Sequence, residues 1–243
     1  MFPLKDNIPT LRFPVVTVTL IALNAFVYIF LQNGVLGLPD GGASGDWPVP
    51  TYAEIPCELT GDEPCRTAPG GPSPIVTVFT AMFMHGSILH IGGNMLFLWI
   101  FGNNVEDSMG PVKFLLFYLL GGIAAAALQI AFGPGSEIPN LGASGAVAGV
   151  LGGYLLLFPR ARVITVIFII FFFTIVELPA LLILGFWFVQ QVLFGYFDLN
   201  SAGNEGGVAY FAHIGGFVFG LLAIKLFADE RKRRAQIDRV GRV

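Results

Sequence analysis

Few residues of this largely apolar sequence have side chains that could do chemistry. All three histidines, His85, His90 and His213, lie within or beside long apolar segments. Asn94 follows His90 by four residues, so a helix would place both side chains on one face. Ser144 begins another apolar segment. Polar side chains are costly inside a bilayer, and these residues are therefore the first candidates for a functional site.

These residue types fit acyl-transfer chemistry. A serine hydroxyl becomes a nucleophile when a neutral histidine takes its proton, and the same histidine later protonates the leaving amine. We assign these roles to Ser144 and His213. The oxyanion of the tetrahedral intermediate needs hydrogen-bond donors, which the Asn94 amide, the His90 ring and the backbone N–H of Ser144 would supply. Because the sequence places no carboxylate beside them in the apolar segments, it favours a Ser–His dyad over a triad.

Each of these residues alone also has an ordinary structural explanation. A serine in a membrane helix usually hydrogen-bonds back to its own helix. An intramembrane histidine is structural as often as functional, and His85 is expected to cap the loop that enters the second apolar segment. Gln190 and Gln191 are expected only to solvate the outer end of the fifth segment. The catalytic interpretation therefore depends on several of these residues lying at the same depth in the membrane.

The segments that must position these residues are predicted to be membrane helices. Hydrophobic residues make up 55% of the 243 residues and charged residues only 12%, about half the charged fraction of a soluble domain. We predict an all-α polytopic membrane protein, a bundle of six transmembrane helices, at about 15–32, 86–103, 113–132, 144–159, 178–195 and 208–227. The first run lacks a small-x-small cleavage site and is expected to be a retained helix.

The distribution of basic residues predicts the orientation. Six spans place both termini on one side, together with every lysine and arginine except Arg66. The positive-inside rule makes that side cytoplasmic. We therefore expect a multi-pass cell-membrane protein with a cytoplasmic segment (1–14), a membrane domain (15–227) and a basic cytoplasmic tail (228–243), whose site opens to the extracytoplasmic side. A basic patch for nucleic acid is absent from the sequence.

Helix geometry predicts that the candidate residues share one depth. With a rise of about 1.5 Å per residue in a core about 30 Å thick, Ser144, His213 and His90 lie roughly 6–10 Å below the outer surface. Small residues at four-residue spacing let membrane helices approach closely. Such glycines occur in the fourth span (Gly145, Gly149, Gly153) and in the sixth (Gly216, Gly220). We therefore expect Ser144 and His213 within hydrogen-bond reach.

The apolar stretch that ends with the fifth span is too long for one helix normal to the membrane. Glu177 and Pro179 interrupt it, and the residue before a proline readily leaves helical geometry. We predict an apolar, partly interfacial segment at about 163–176 followed by the fifth span. One long tilted helix is the alternative.

The long first loop, about 33–75, is rich in glycine and proline and contains the only two cysteines, Cys57 and Cys65. Cysteine pairs in extracytoplasmic loops commonly form disulfides, and we predict one here. Two free thiols are the alternative. Two cysteines alone cannot form a structural zinc site, and no metal site is expected.

Three groups of residues resemble the motifs of the rhomboid family. His85, His90 and Asn94 match its second-helix pattern of two histidines and an asparagine. The run from Gly142 to Gly145 (Gly-Ala-Ser-Gly) matches the nucleophile motif. The run Ala-His-Ile-Gly-Gly at 212–216 matches the helix that carries the base. The resemblance covers about residues 10–227, nearly the whole chain.

The resemblance implies a six-helix intramembrane serine protease that works without a cofactor. Its partners would be single-span or polytopic membrane-protein substrates, cleaved within or near their spans, and the lipid bilayer. It also implies that His90 and Asn94 support the oxyanion. The fifth span and the loop that follows it would gate access.

Two features depart from the family pattern. Many relatives have an aromatic residue four positions after the serine, where its ring stacks on the catalytic imidazole. Ala148 occupies that position here, which leaves open what orients His213. Many relatives also have a Trp-Arg pair before the second helix, and residues 75–84 contain neither. The first loop is therefore expected to sit differently at the bilayer surface.

Three other functions compete with this interpretation. A catalytically silent relative that binds membrane proteins would be expected to lack the serine or the base. A metalloprotease using His85, His90 and His213 is disfavoured, because five-residue histidine spacing without an adjacent glutamate is not the H-E-x-x-H motif. A transporter would also carry polar groups at mid-membrane, but the sequence shows no internal repeat.

Overall fold

The computed structural model describes residues 2–32, 49–62, 64–65, 71–169, 172–200 and 208–240. The helices are α1 (Val15–Phe26, continued by a π-helical turn Val27–Gln32), α2 (Val49–Tyr52), α3 (Pro56–Thr60), α4 (Pro74–Thr80, continued by a 3-10 turn Ala81–Phe83), α5 (Ile88–Phe97, continued by a π-helical turn Leu98–Gly102), α6 (Asn103–Met109), α7 (Pro111–Phe132), α8 (Ser144–Leu157), α9 (Ala180–Leu199), α10 (Tyr210–Phe227) and α11 (Glu230–Val240). The strands are β1 (Phe2–Asp6), β2 (Arg162–Ile169) and β3 (Phe172–Pro179).

The prediction of a helical membrane bundle is confirmed, with differences in two spans. Among the described residues, four helices are long and apolar enough to cross a membrane: Val15–Gln32, α7, α9 and α10. The second predicted span belongs to a bent pair, Pro74–Phe83 and Ile88–Met109, whose two parts differ in direction by 81°. The fourth is α8, which has only 14 residues. It is about 21 Å long, shorter than a bilayer core.

The short helix α8 lies at the centre of the bundle. Its residues are buried continuously from Gly145 to Tyr154, mainly against α7 and α10. A helix that is apolar all round is expected to be surrounded by protein or lipid. Because protein surrounds α8, the irregular backbone that precedes Ser144 can lie at membrane depth without exposing its polar groups to lipid.

Helices α8 and α10 are in backbone contact through the predicted glycines. A methyl group on Gly216 would overlap the carbonyl oxygen of Gly145, and one on Gly220 would overlap that of Gly149. In the other direction, a methyl group on Gly152 would overlap the carbonyl oxygen of Phe217. The glycines therefore set the distance between the helix that begins with Ser144 and the helix that carries His213.

This contact predicts that Gly220→Ala destabilises the bundle. Alanine favours a helix by up to about 1 kcal/mol over glycine, but overpacking a close contact costs about 1–3 kcal/mol. We therefore expect a lower melting temperature in detergent, measured by circular dichroism or light scattering. Gly185→Ala in α9 is the control, because nothing lies within 4 Å of the added methyl group. A Gly220→Ala protein as stable as Gly185→Ala would contradict the tight contact.

The apolar segment before α9 is a β-hairpin. Strands β2 and β3 pair antiparallel from Arg162 opposite Pro179 to Ile169 opposite Phe172, and β1 pairs with the other edge of β2. The alternative of one long tilted helix is therefore wrong. The bundle is also not purely helical, because the hairpin residues are mostly β-branched or aromatic and favour strands. Residues 2–6, within the expected cytoplasmic N-terminal segment, form strand β1 of this sheet.

A buried polar cluster joins the sheet to the end of α8 that lies away from Ser144. Oδ2 of Asp6 accepts hydrogen bonds from Asn104 Nδ2 at 2.7 Å and from the hydroxyl of Tyr154. Nε2 of Gln236 in α11 donates to the carbonyl oxygen of Asn104 at 3.3 Å. Residues 230–240, which we expected to be part of a basic tail, are thus a helix packed against the bundle.

The cluster predicts a pH-dependent stability. Burial raises the pKa of Asp6 from 3.8 to about 6, despite the hydrogen bonds from Tyr154 and Asn104. Between these values the folded protein binds more protons than the unfolded chain, so stability falls as the pH rises from about 4 to about 6. The shift is worth about 3 kcal/mol. Asp6→Asn should flatten the dependence of the melting temperature on pH over this window, whereas Asp238→Asn on the exposed face of α11 should not. Equal pH dependence in both variants would contradict the assignment to Asp6.

Candidate active site

One cavity brings together the four residues selected from the sequence. It has a volume of about 640 Å³, and its lining includes Ser144, His213, His90 and Asn94. Ser144 comes from the start of α8, His213 from α10, and the remaining two from α5. Three separate helices therefore contribute to one site, as the depth estimate requires.

Gly142 shapes the turn that delivers Ser144. Its φ is 126°, in the left-handed region, where the backbone of any residue with a side chain would be strained. Its N–H donates to the carbonyl oxygen of Ala81 at 2.8 Å. A Cβ at this position would lie 2.7 Å from His90 Nε2 and 3.5 Å from Ser144 Oγ. Glycine is needed here both for the backbone conformation and for the close approach of the turn to His90.

His85 is hydrogen-bonded to the same turn. It is only 2% exposed, and its Nε2 accepts a long hydrogen bond, 3.4 Å, from the backbone N–H of Ala143. The side chain of Gln32 makes two hydrogen bonds to the backbone of His85. Its Oε1 accepts from the N–H at 2.9 Å, and its Nε2 donates to the carbonyl oxygen at 3.2 Å. His85 is therefore a structural residue, but it contacts the turn before Ser144 instead of simply capping the entry to α5.

Ser144 and His213 line the cavity together but are not hydrogen-bonded to each other in this structure. The expected hydrogen bond is therefore not present in this structure. Catalytic hydrogen bonds in substrate-free enzymes are often long and tighten only when substrate binds. Both residues are on helices whose separation the glycine contacts fix.

The imidazole of His213 contacts two side chains of α9. Its Nδ1 lies 2.8 Å from Oε1 of Gln191, and the Trp187 ring centre lies 5.6 Å from its own. Gln191 is only 6% exposed, so the expectation that it solvates the outer end of the fifth span is wrong. Ala148 is buried and also lines the cavity. The aromatic neighbour of the imidazole thus comes from α9, and not from the position four residues after the serine.

The candidate oxyanion donors are on α5 and at the start of α8. Asn94 is 9% exposed, and its Nδ2 has no hydrogen-bond partner, so one donor is free beside the cavity. His90 Nδ1 lies 3.5 Å from the N–H of Gly86, a long contact, while its Nε2 is beside the turn at Gly142. The backbone N–H of Ser144, as the first of its helix, has no intrahelical acceptor.

A part of the first loop packs against the turn that leads to Ser144. Glu54 and Asn140 pair through two backbone hydrogen bonds, of 3.0 and 2.7 Å, and the N–H of Cys57 donates to the carbonyl oxygen of Ser136 at 3.1 Å. A disulfide joins Cys57 to Cys65. Burial raises the pKa of Glu54 to about 7. Residues 33–48, 63 and 66–70 of the expected loop lie outside the described residues.

Comparison with known proteins agrees with the motifs. A family model described as the Rhomboid domain matches residues 72–230. Over 169 residues the chain is 29% identical to Rhomboid protein 1, mitochondrial, from Saccharomyces cerevisiae. The matched region covers 66% of this chain and 45% of that protein. Over 142 residues it is 32% identical to Rhomboid protease GluP from Bacillus subtilis. That matched region covers 58% of this chain and 24% of the relative.

A human relative gives a similar result. Over 144 residues the chain is 28% identical to the presenilin-associated rhomboid-like protein, mitochondrial, which covers 57% of this chain and 34% of that protein. The chain spans less than half the length of each of these relatives. The matched family model nevertheless covers more than half of the chain, from the segment before α4 to the start of α11. The chain therefore belongs to the rhomboid family, whose members include intramembrane proteases.

Proposed function

We propose that this protein is an intramembrane serine endopeptidase that hydrolyses peptide bonds within or near the spans of other membrane proteins. Ser144 is the nucleophile and His213 is the general base. The observation that carries this proposal is the shared cavity, which is lined by a serine at a helix start, a half-buried histidine and a free amide donor. No cofactor takes part in the proposed reaction.

The reaction follows from the placement of these groups. His213 takes the hydroxyl proton as Ser144 Oγ attacks the scissile carbonyl, and it then gives that proton to the leaving amine. The amide of Asn94, the ring of His90 and the N–H of Ser144 donate to the oxyanion. The acyl-enzyme is released by water, which His213 activates in the same way. Partial positive charge at the start of α8 also favours the oxyanion.

The substrate is a membrane segment that must unwind before it can react. The carbonyls of a helix are hydrogen-bonded, and unwinding in lipid would leave backbone groups without partners, so it should occur only inside the cavity. Glycine or proline in the outer part of a substrate span lowers the cost of unwinding. We expect cleavage near the extracytoplasmic end of substrate spans, after a small residue such as Ala, Gly, Ser or Cys. Mass spectrometry of the products of a model substrate would locate the cut, and a cut at the opposite end would contradict the proposed depth.

The proposed topology is a multi-pass cell-membrane protein with both termini cytoplasmic. Its support is the position of the basic helix α11 at the end of α8 away from Ser144, where Arg233 Nη1 donates to the carbonyl oxygen of Leu157 at 3.0 Å. Protease accessibility of a C-terminal tag in sealed inside-out vesicles tests this orientation. Protection of the tag there would reverse it.

Labelling with a fluorophosphonate tests the nucleophile directly. The purified protein in detergent should become labelled, and peptide mapping should place the label on Ser144. A catalytically silent, client-binding rhomboid relative is the second candidate, and it would show no such labelling. Failure of the wild type to react, in a preparation with a cooperative melting transition, would favour that second candidate.

A further inference from the structure

A glutamine on α9 makes a hydrogen bond to the catalytic base that the dyad alone does not require. Oε1 of Gln191 lies 2.8 Å from Nδ1 of His213, and the glutamine is buried while the histidine is half-buried. The other amide atom, Nε2, donates to the carbonyl oxygen of Trp187, one turn earlier in α9, at 3.3 Å. The glutamine therefore connects the imidazole to the backbone of a helix that bears neither the nucleophile nor the base.

The second hydrogen bond fixes which end of the amide faces His213. A backbone carbonyl only accepts, so the amide NH₂ must point to Trp187 and the amide oxygen must point to the imidazole. An amide oxygen also only accepts, so Nδ1 of His213 must carry the proton. The lone pair of the ring is then on Nε2, which is the tautomer that a base for Ser144 needs.

We propose that Gln191 is a positioning residue that holds His213 in its Nδ1–H tautomer and in the orientation that serves Ser144. This proposal rests on the dyad proposed above and adds a third residue to it. In triads an acidic side chain does the same for the base. Here the acceptor is neutral, so it selects the tautomer and orientation without adding a charge to a buried site.

Packing around the pair shows why α9 can do this. Phe188 stacks on Phe217 of α10 with ring centres 4.5 Å apart, and Trp187 lies 5.6 Å from the imidazole. These contacts fix the rotation of α9 about its axis next to His213. Ala148 offers no ring on the α8 side. The orientation of the base therefore depends on the placement of α9 against α10.

Nitrogen-15 spectroscopy of the imidazoles tests the proposal without relying on activity. The chain has only three histidines, so selective labelling gives three ring systems, and His213→Ala identifies the signal of interest. We expect His213 in the wild type to be the single Nδ1–H tautomer, with Nε2 unprotonated. In Gln191→Leu the ring should lose this preference and show averaged shifts. An Nε2–H ring in the wild type, or an unchanged spectrum in Gln191→Leu, would overturn the proposal.

Kinetics provide a second readout. Gln191→Leu should lower kcat about 10- to 100-fold with little change in KM, because a misoriented base affects the chemical step. Gln191→Glu keeps a hydrogen-bond acceptor for Nδ1 of His213 and should retain more activity than Gln191→Leu. Its added negative charge favours the protonated imidazole, so the acidic limb of the kcat–pH profile should move to higher pH. Among the described residues, His90 on α5 is the titratable group that acts on His213, and it is unchanged in both variants. Gln190→Leu, at the neighbouring half-buried position, is the matched control and should behave as the wild type.

The outcomes separate this proposal from the proposed function. An effect of Gln191→Leu on KM alone, with an unchanged tautomer, would show that Gln191 only shapes the cavity, and would overturn the positioning role while the dyad stands. An inactive wild type would remove the protease function, and the imidazole spectra would then still decide whether Gln191 sets the tautomer of His213.

Discussion

Ser144→Ala is expected to lose cleavage of a fluorescent membrane-span substrate completely, while keeping the melting temperature of the wild type. The hydroxyl is the only group in the cavity assigned as nucleophile, and its loss leaves a methyl group of similar size. The expected fall is about 10⁴-fold or more in kcat. His213→Ala should be equally inactive, because the hydroxyl then has no base. Initial rates in detergent and in liposomes, with melting curves for each protein, measure both effects.

The double variant distinguishes a dyad from two independent contributions. Residues that act as one unit are not additive, so Ser144→Ala combined with His213→Ala should be no worse than either single change. Gly185→Ala, which adds a methyl group in open space, is a control for handling and should keep full activity. Residual turnover in Ser144→Ala above that of the double variant would show that another group attacks the substrate.

Asn94→Ala is expected to reduce kcat about 100-fold or more while KM changes little. Its Nδ2 has no partner in the structure, so the donor is free for a charge that develops only in the transition state. One oxyanion donor is worth about 3 kcal/mol. The defect should be partial, because the His90 ring and the N–H of Ser144 remain. Single-turnover kinetics measure the chemical step separately from substrate binding.

Two further variants sharpen this test. Asn94→Asp has nearly the same size but replaces the donor with an acceptor and a negative charge, so it should be more defective than Asn94→Ala. Asn200→Ala, at an exposed position after α9, should have no effect. A rise in KM at unchanged kcat for Asn94→Ala would assign the residue to substrate binding and remove it from the oxyanion site.

The sequence was sufficient to select the four candidate residues that line one cavity, but not the residues that hold them in place. Polar residues are few in the spans, and so Ser144, His213, His90 and Asn94 could be selected by chemistry and depth. Gln191 could not be assigned in the same way, because its partner lies on another helix and the rotation of α9 decides which face it presents. Trp187 and Gln191, four residues apart on one face, were the available signal.

The β-hairpin and α11 were missed for different physical reasons. A run such as the one in β2 is apolar and β-branched, and periodicity alone does not distinguish a buried strand from part of a membrane helix. In α11 the charged residues suggested a basic cytoplasmic tail. The one fully buried residue of α11, Gln236, is polar, and its contact with Asn104 depends on tertiary structure.

The glycine contacts between α8 and α10 also indicate where the specificity of the proposed protease could be changed by mutagenesis. Those two helices have no room for even one methyl group at Gly216, Gly220 or Gly152, so most substitutions there should destabilise the bundle. The opposite wall of the cavity is more permissive: Leu89 on α5 is mostly exposed, and an added methyl group at Gly93 meets nothing within 4 Å. Selection for new substrates should therefore accumulate changes on α5 and leave the α8–α10 contact intact.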